Sequence, residues 1–181
     1  MRIFVTGAFG FIGSHLVQKL LNLGYRVTAF DKYNSFNYWG NLEELKEQNI
    51  KNLSVVMGDI RDLDIINSSI KGCDIVMHLA ALIVIPYSYV TPIGYLKTNI
   101  EGTYNILEAS KKNRVSSVII TSTSEVYGSA QYIPMDELHP IVSQSPYSAS
   151  KTSADNLAIS YFKSYNLPVK IIRPFNTYGP R

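Results

Sequence analysis

The chain has 181 residues, 46% of them apolar and 17% charged. That is length enough for one domain with a sizeable core, and the balance excludes an intrinsically disordered chain. Its net charge is only +3, with lysines and arginines scattered rather than gathered into a stripe, which argues against nucleic acid as a partner; the mild positive balance suits an anionic small molecule, though no more than chance would.

A single cysteine, Cys73, rules out an internal disulfide and points to a reduced core or near-core thiol in a cytoplasmic protein. The chain runs from Met1 straight into a strand pattern without a leader, and it holds no run of ~18 apolar residues, so no membrane span is expected.

In chain order, the apolar run Ile3-Phe4-Val5 reads as a buried strand ending at Thr6-Gly7. A glycine turn follows, Gly7-Ala8-Phe9-Gly10-Phe11-Ile12-Gly13. Residues 14 to 23 then have helical periodicity through Leu16, Val17, Leu20 and Leu21, stopped by Gly24. A second strand over 25 to 30 ends at Asp31. Glycines between a strand and a helix let backbone approach a pyrophosphate, whose charge sits at the helix N-terminus. An acid at the end of the second strand accepts from a ribose diol and repels a 2′-phosphate, so Asp31 favours NAD over NADP; Lys32 beside it is a cation that could tolerate the phosphate. The spacing is G-x-x-G-x-x-G rather than G-x-G-x-x-G.

Residues 33 to 40 read as a loop, and Asn41 as the cap of a short helix over 42 to 48. A third strand covers 53 to 57. Asp59, followed by Ile60, either meets an adenine amino group or caps the helix over 63 to 70, with adenine contact the preferred reading. The fourth strand and its exit cover 74 to 81, where Leu79 leads into Ala80 and Ala81, small enough to let a ligand reach the backbone. His78 reads as a hydrogen-bonded core residue. With no Cys or His grouped near any of the three histidines, no metal site is expected. A loop over 85 to 92 precedes a long helix over 93 to 113, whose apolar face is interrupted by Asn99. That amide needs a partner, either local backbone or a water near the active groups.

The fifth strand, 115 to 121, runs into Ser122-Thr123-Ser124-Glu125-Val126-Tyr127-Gly128, a hydroxyl-rich segment with a carboxylate at a strand's C-terminal end, where open α/β sheets bind ligands. After a polar loop from 129 to 145, a helix over 146 to 166 carries Tyr147 and Lys151 on one face, four residues apart. A cation beside a phenol favours the phenolate, so the pair can move a proton that tyrosine alone holds to pH ~10. A sixth strand covers 169 to 173. Strands and helices alternate throughout, which predicts an α/β doubly wound parallel sheet of about six strands.

Four motifs agree in order: TGAFGFIG, Asp31, STSEVYG and YSASK. Together they resemble the extended short-chain dehydrogenase/reductase superfamily, the NAD-dependent epimerase/dehydratase family acting on nucleotide sugars. The resemblance spans essentially the whole chain and implies an NAD(P)-binding Rossmann fold. Members of the family continue well past this length, so it also implies that a C-terminal substrate domain is missing and that residues 1–181 are one truncated NAD-binding domain.

Carried over, Tyr147, Lys151 and Thr123 correspond to the groups that oxidise the sugar C4 hydroxyl. Gly7, Phe9, Gly10, Phe11, Ile12, Gly13, Asp31, Lys32, Asp59, Ile60, Leu79, Ala80, Ala81, Asn99, Thr121, Tyr147, Lys151 and Pro174 correspond to the cofactor site. Ser88, Thr123 and Asn176 correspond to positions near the sugar and diphosphate.

Glu125 bears on the subfamily. A 4-epimerase needs only reversible redox chemistry at C4. A 4,6-dehydratase must also take the C5 proton and expel the C6 hydroxyl, and a further carboxylate suits that work. The triplet Thr123-Ser124-Glu125 resembles the GDP-mannose 4,6-dehydratase pattern. The strings HLAALIVIPYSY, TSTSEVYGSAQYIP, QSPYSASK and IIRPFNTYGPR are similar to dehydratases of legionaminic-acid-type pathways, which implies GDP-N-acetylglucosamine or a UDP-N-acetylhexosamine as substrate. The resemblance further implies a homodimer through helices 93–113 and 147–166. A 4-epimerase, or an NAD-binding module without catalysis, remains the alternative.

Overall fold

The computed structural model describes residues 1–180 except Glu47 and Asn49. The elements are β1 (Arg2–Thr6), α1 (Phe11–Asn22), β2 (Arg26–Lys32), a 3-10 turn (Gly40–Leu42) leading into α2 (Glu43–Lys46), β3 (Leu53–Gly58), α3 (Leu63–Ile70), β4 (Ile75–His78), α4 (Ile85–Val90), α5 (Pro92–Tyr95), a π-helical turn (Leu96–Glu101), α6 (Gly102–Lys112), β5 (Ser117–Thr121), a 3-10 turn (Ser124–Tyr127), α7 (Pro146–Tyr165) and β6 (Val169–Ile172).

All five strand pairings are parallel, in the order β3-β2-β1-β4-β5-β6. The chain leaves β3 on one edge and returns beside β1 as β4, so the order reverses there. Crossovers then run to opposite faces on the two sides of that point, and a crevice opens above the strands' C-terminal ends. Thr6 pairs in register with His78 on one side and Phe30 on the other, which sets the floor of the crevice.

Alternate residues of each strand feed two cores. Ile3, Val5, Val27 and Ala29 pack against Val17 and Leu20 of α1 and Leu42 and Leu45 beside α2. Phe4, Phe30, Val76, Val118 and Ile120 point the other way, onto Ile66 and Ile70 of α3, Ile106 and Leu107 of α6 and Ala158 of α7. The period of two along a strand forces this division, and each fully buried side chain of this size contributes ~1.5–3 kcal/mol. Cys73 is a buried free thiol whose pKa burial raises.

Several boundaries differ from those expected. The extended conformation of Gly10 makes it the N-cap of α1, which therefore starts at Phe11 rather than Ser14. Strand β2 runs on through Asp31 and Lys32 because β3 pairs with it as far as Gly58. The segment expected as a loop over 85–92 holds α4, with Pro86 in its first turn, where a missing N–H costs nothing. The helix expected over 42–48 ends at Lys46 as described; Glu47 lies outside the described residues. The expected helix 93–113 is present, but it is α5 and α6 joined through the π-helical turn that holds Asn99.

Candidate active site

A cavity of about 1030 Å³ opens above β1 and β4. Its first wall is the glycine turn. Gly7 has φ +66°, and a Cβ there would lie 2.8 Å from the Ala80 nitrogen. A Cβ on Gly13 would lie 2.0 Å from the Gly7 carbonyl oxygen, so α1 packs directly on the turn. Ser14 N–H makes the first bond of the helix, to the Gly10 carbonyl at 3.0 Å; the N–H groups of Phe11, Ile12 and Gly13 precede it, at the positive end of the helix dipole. These residues, with Phe9, line the cavity.

The second wall is the end of β2. Asp31 accepts from the Phe9 N–H at 2.7 Å with Oδ2 and from the Lys32 N–H at 2.7 Å with Oδ1. Burial raises its pKa against the pull of those two donors. Lys32 and Asp59 stand beside it on the cavity rim. Asp59 does not cap α3; Asp62 does, accepting from Asp64 and Ile65 N–H at 3.0 and 3.2 Å. The Asp59 carboxylate is instead forked by Arg61, which holds its pKa below the usual range. Asp59 is thus placed for contact with a ligand edge, and Ile60 continues the wall.

Between the walls, Thr6 ties β1 to β4. Its hydroxyl accepts from Leu79 and Ala80 N–H at 3.2 and 3.1 Å and donates to His78 Nδ1 at 2.7 Å. His78 Nε2 then reaches the Thr103 hydroxyl at 3.1 Å, which bonds the Asn99 carbonyl at 2.6 Å. His78 is fully enclosed and burial depresses its pKa to about 3, so it is a neutral core group, as its sequence context suggested. Leu79, Ala80 and Ala81 reach the cavity with their backbone.

The third wall comes from β5, α7 and the exit of β6. Ser145 caps α7 with a reciprocal pair of bonds to Ser148, and Pro146 fills the first position. Tyr147 is thereby fixed in the first turn and Lys151 one turn later, both facing the cavity. Lys151 is 5% exposed, and its ammonium donates to the Thr121 carbonyl at 2.6 Å. Burial lowers its pKa to about 8, partly opposed by Asp155. The Tyr147 phenol is pushed above its ordinary value by burial; the Thr123 hydroxyl draws it back and Glu125 adds to the rise. Thr123 caps the 3-10 turn by accepting from Glu125 N–H at 3.2 Å, which projects Ser124 and an exposed Glu125 over Tyr147. Pro174 and Asn176 close the wall, and a smaller cavity of about 360 Å³ adjoins it at Ser124, Glu125, Met135 and Asn176.

Two residues expected in the site lie outside it. Asn99 sits behind the wall: its carbonyl oxygen accepts from Leu82 N–H at 2.8 Å, and its amide donates to Leu82 O and Ser150 Oγ, both at 2.9 Å. With every bond spent on protein, it fastens the loop after β4 to α7. Ser88 is 0% exposed and donates to Ile85 O at 2.6 Å, because α4 turns that hydroxyl inward. Conversely, Tyr95 went unnoticed in the sequence. It is buried edge-on to Tyr147, with ring centroids 6.2 Å apart, and its hydroxyl reaches Val84 O at 2.5 Å. Among the described residues, no three His, Cys, Asp or Glu side chains converge as metal ligands, and no helix is long and apolar enough to cross a membrane.

A family model described as GDP-mannose 4,6 dehydratase matches residues 4–181. The chain belongs to that family. Curated dTDP-glucose 4,6-dehydratases of Streptomyces antibioticus and Homo sapiens are 36% and 34% identical to it; the alignments cover 99% of this chain but 54% and 52% of those proteins. The chain thus spans about half the length of the curated relatives it matches. Among solved structures, DesIV, the dTDP-glucose 4,6-dehydratase of Streptomyces venezuelae crystallised with NAD, superposes with a TM-score of 0.91 at 35% identity, over 99% of this chain and 57% of that one. A UDP-N-acetylglucosamine 4-epimerase from Methanobrevibacter ruminantium M1 superposes with a TM-score of 0.90 at 37% identity, over 99% and 56%. The family's six-stranded parallel Rossmann sheet is the one seen here.

Proposed function

We propose that residues 1–181 form the NAD-binding, catalysis-bearing domain of a cytoplasmic nucleotide-sugar 4,6-dehydratase. The observation that carries this reading is the placement of Glu125 in one cavity with the Tyr147–Lys151 pair and the glycine turn.

The residues present fit NAD. Gly7, Gly10 and Gly13 keep the turn free of side chains, the first N–H groups of α1 face the space a pyrophosphate would take, and the half-buried Asp31 carboxylate stands where a ribose diol would meet it. The 1030 Å³ cavity is large enough for the dinucleotide together with the sugar end of a substrate. Lys32, Asp59, Ile60, Leu79, Ala80, Ala81, Thr121 and Pro174 complete the cofactor surface. When bound, NAD supplies a reversible hydride acceptor and, in its oxidised form, a positive ring charge.

The chain's own groups then divide the proton work. Tyr147 Oη takes the proton of the C4 hydroxyl, with the Thr123 hydroxyl beside it; Lys151 holds the floor through Thr121 O. The resulting C4 ketone acidifies C5, and Glu125 removes that proton. The C6 hydroxyl leaves as water, protonated by Glu125 directly or through Ser124; Glu125 then passes a solvent proton to C5, Tyr147 releases to solvent the proton it took, and the hydride held by the cofactor would complete C6. The net change is loss of one water to a 4-keto-6-deoxy sugar. Asn176 lines the same cavity, which supports contact with the sugar diphosphate.

The sequence strings favour a GDP- or UDP-N-acetylhexosamine, GDP-N-acetylglucosamine foremost, whereas dTDP-glucose and UDP-glucose 4,6-dehydratases are among its relatives. A 4-epimerase is the second reading, supported by epimerases of equal structural likeness; Glu125 counts against it, since epimerisation at C4 leaves that carboxylate without work. Exposed Ile93, Leu96 and Tyr104 on one helical run and Ile159, Phe162 and Tyr165 on α7 support a homodimer through those helices.

Incubating the full-length protein that carries these residues with GDP-, UDP- and dTDP-sugars tests the reading by mass. A product lighter by one water is expected; an isobaric product refutes dehydration in favour of epimerisation.

A further inference from the structure

Lys151 has an uncommon environment for a charged side chain. Its ammonium is enclosed by β5, β4 and α7. From β5 the Thr121 carbonyl accepts its proton. From β4 it meets His78, which is neutral and saturated by Thr6 and Thr103. On α7 its neighbours one turn away are Tyr147 and Asp155. Asp155, one turn on along the same buried face, is the acidic side chain that α7 sets beside it, and its charge raises the Lys151 pKa against burial.

Asp155 is itself 1% exposed, and Arg173 Nε donates to its Oδ2 at 3.0 Å. Arg173 continues to the Tyr127 hydroxyl at 3.0 Å, its guanidinium over that ring at 5.2 Å. The second carboxylate oxygen, Oδ1, and the Ser122 hydroxyl are both buried without a hydrogen-bond partner; burial raises the Asp155 pKa, and Ser122, Arg173 and Lys151 pull it back toward the ionised form. A carboxylate kept buried with one oxygen unbonded stabilises the fold poorly on its own account. Its position instead suits a counter-ion. Tyr147, Lys151 and Asp155 recur at four-residue intervals, so they form a single row down the buried face of α7.

We propose that Asp155 is a positioning residue, the counter-ion that keeps Lys151 in its ammonium form inside the site, and that Arg173 holds Asp155 ionised in that place. The same bridge ties three parts of the site together: α7 through Asp155, the turn of Ser124 and Glu125 through Tyr127, and the exit of β6 through Arg173. This rests on the functional reading above only for the use made of Lys151; the counter-ion relation stands or falls without it.

The test reads Lys151 directly. In protein labelled with ¹³C at lysine Cε, the Lys151 signal is assigned by its loss in Lys151→Met and followed against pH. In Asp155→Asn the midpoint is expected to fall by about one unit or more, a tenfold loss of ammonium above the midpoint, while Asp155→Glu holds it near the wild-type value. An unchanged midpoint in a folded Asp155→Asn overturns the proposal. Should that variant fail to fold, the Asp155 carboxyl carbon is titrated in the unaltered chain: an ionised carboxylate at neutral pH is expected, and a protonated one overturns the proposal. NAD affinity, measured in parallel on unaltered protein, reports on the functional reading alone. A chain that binds no NAD yet shows the Lys151 shift refutes that reading and leaves the counter-ion standing.

Discussion

Two glycines of one turn should behave in opposite ways when each is given a methyl group. At Gly13 the added Cβ would sit 2.0 Å from the Gly7 carbonyl oxygen, 2.8 Å from its carbon and 3.0 Å from Ala8 Cα. All three are backbone atoms of a turn pinned against Ala80, so no side chain can swing aside. Overpacking of this kind costs ~1–3 kcal/mol, and contact with backbone places Gly13→Ala at the upper end. For a chain of this size that is a fall in Tm of about 6–12 °C. At Gly10 the Cβ would meet only the Gly7 oxygen, at 3.4 Å, and the backbone is extended at φ −72°. Gly10→Ala should leave Tm within about 2 °C, since the unfolded chain also loses freedom. The methyl would, however, stand on the cavity side of the α1 N-terminus, where the pyrophosphate is proposed to lie. NAD affinity should drop at least tenfold, about 1.4 kcal/mol.

Differential scanning calorimetry and NAD titration calorimetry on both variants separate the two effects. If Gly13→Ala melts with the wild type, the packing argument fails. If Gly10→Ala binds NAD undiminished, the phosphate does not sit at that helix end.

Glu125→Gln should bind NAD normally yet lose C5 solvent exchange and ~10²–10⁴-fold of dehydration; normal deuterium entry at C5 would remove Glu125 from the mechanism. The Lys151 pKa of about 8, against 10.5 when unfolded, means that between those values the unfolded chain carries one more proton. Stability should therefore rise with pH across that window, by up to about 3 kcal/mol relative to Lys151→Met, with the full cost of the buried charge present below pH 8; parallel urea-denaturation curves of the two proteins would refute the burial argument. Ser88→Ala removes one bond to Ile85 O and should cost about 1 kcal/mol or less with kcat/KM unchanged; a large loss of kcat/KM would return Ser88 to the substrate site. Asn99→Ala strands Leu82 N–H, Leu82 O and Ser150 Oγ, for a loss of about 2–4 kcal/mol in thermal unfolding; an unchanged Tm would mean that the loop after β4 is held by something else.

What the sequence disclosed, it disclosed through short-range signals. The glycine turn, Asp31 and the Tyr147–Lys151 pair each lie within a few residues of the element that presents them, and local periodicity suffices to orient them. Ser88 and Asn99 were misplaced for another reason. Ser88 depends on whether residues 85–90 coil, and α4 is too short for periodicity to reveal. Asn99 depends on partners 17 and 51 residues away, together with a π-helical turn that rotates it toward them. Asp59 shows a third limit: two acids, Asp59 and Asp62, could each have capped α3, and only the Arg61 fork decides between them.

The same contrast applies to Tyr147 and Lys151. Spacing puts Lys151 on the same face, but the direction of its ammonium is set by the end of β5, where the Thr121 carbonyl accepts its hydrogen bond. Burial raises the pKa of the phenol, the Thr123 hydroxyl lowers it, and Glu125 and Tyr95 add to the rise. Glu125 is in turn held by the turn that Thr123 caps. Tyr147 sits where helix α7, strand β5 and that turn meet, so its readiness to give up a proton is a property of their junction, and a positive ring charge placed above it would act on a phenol that the fold by itself keeps protonated.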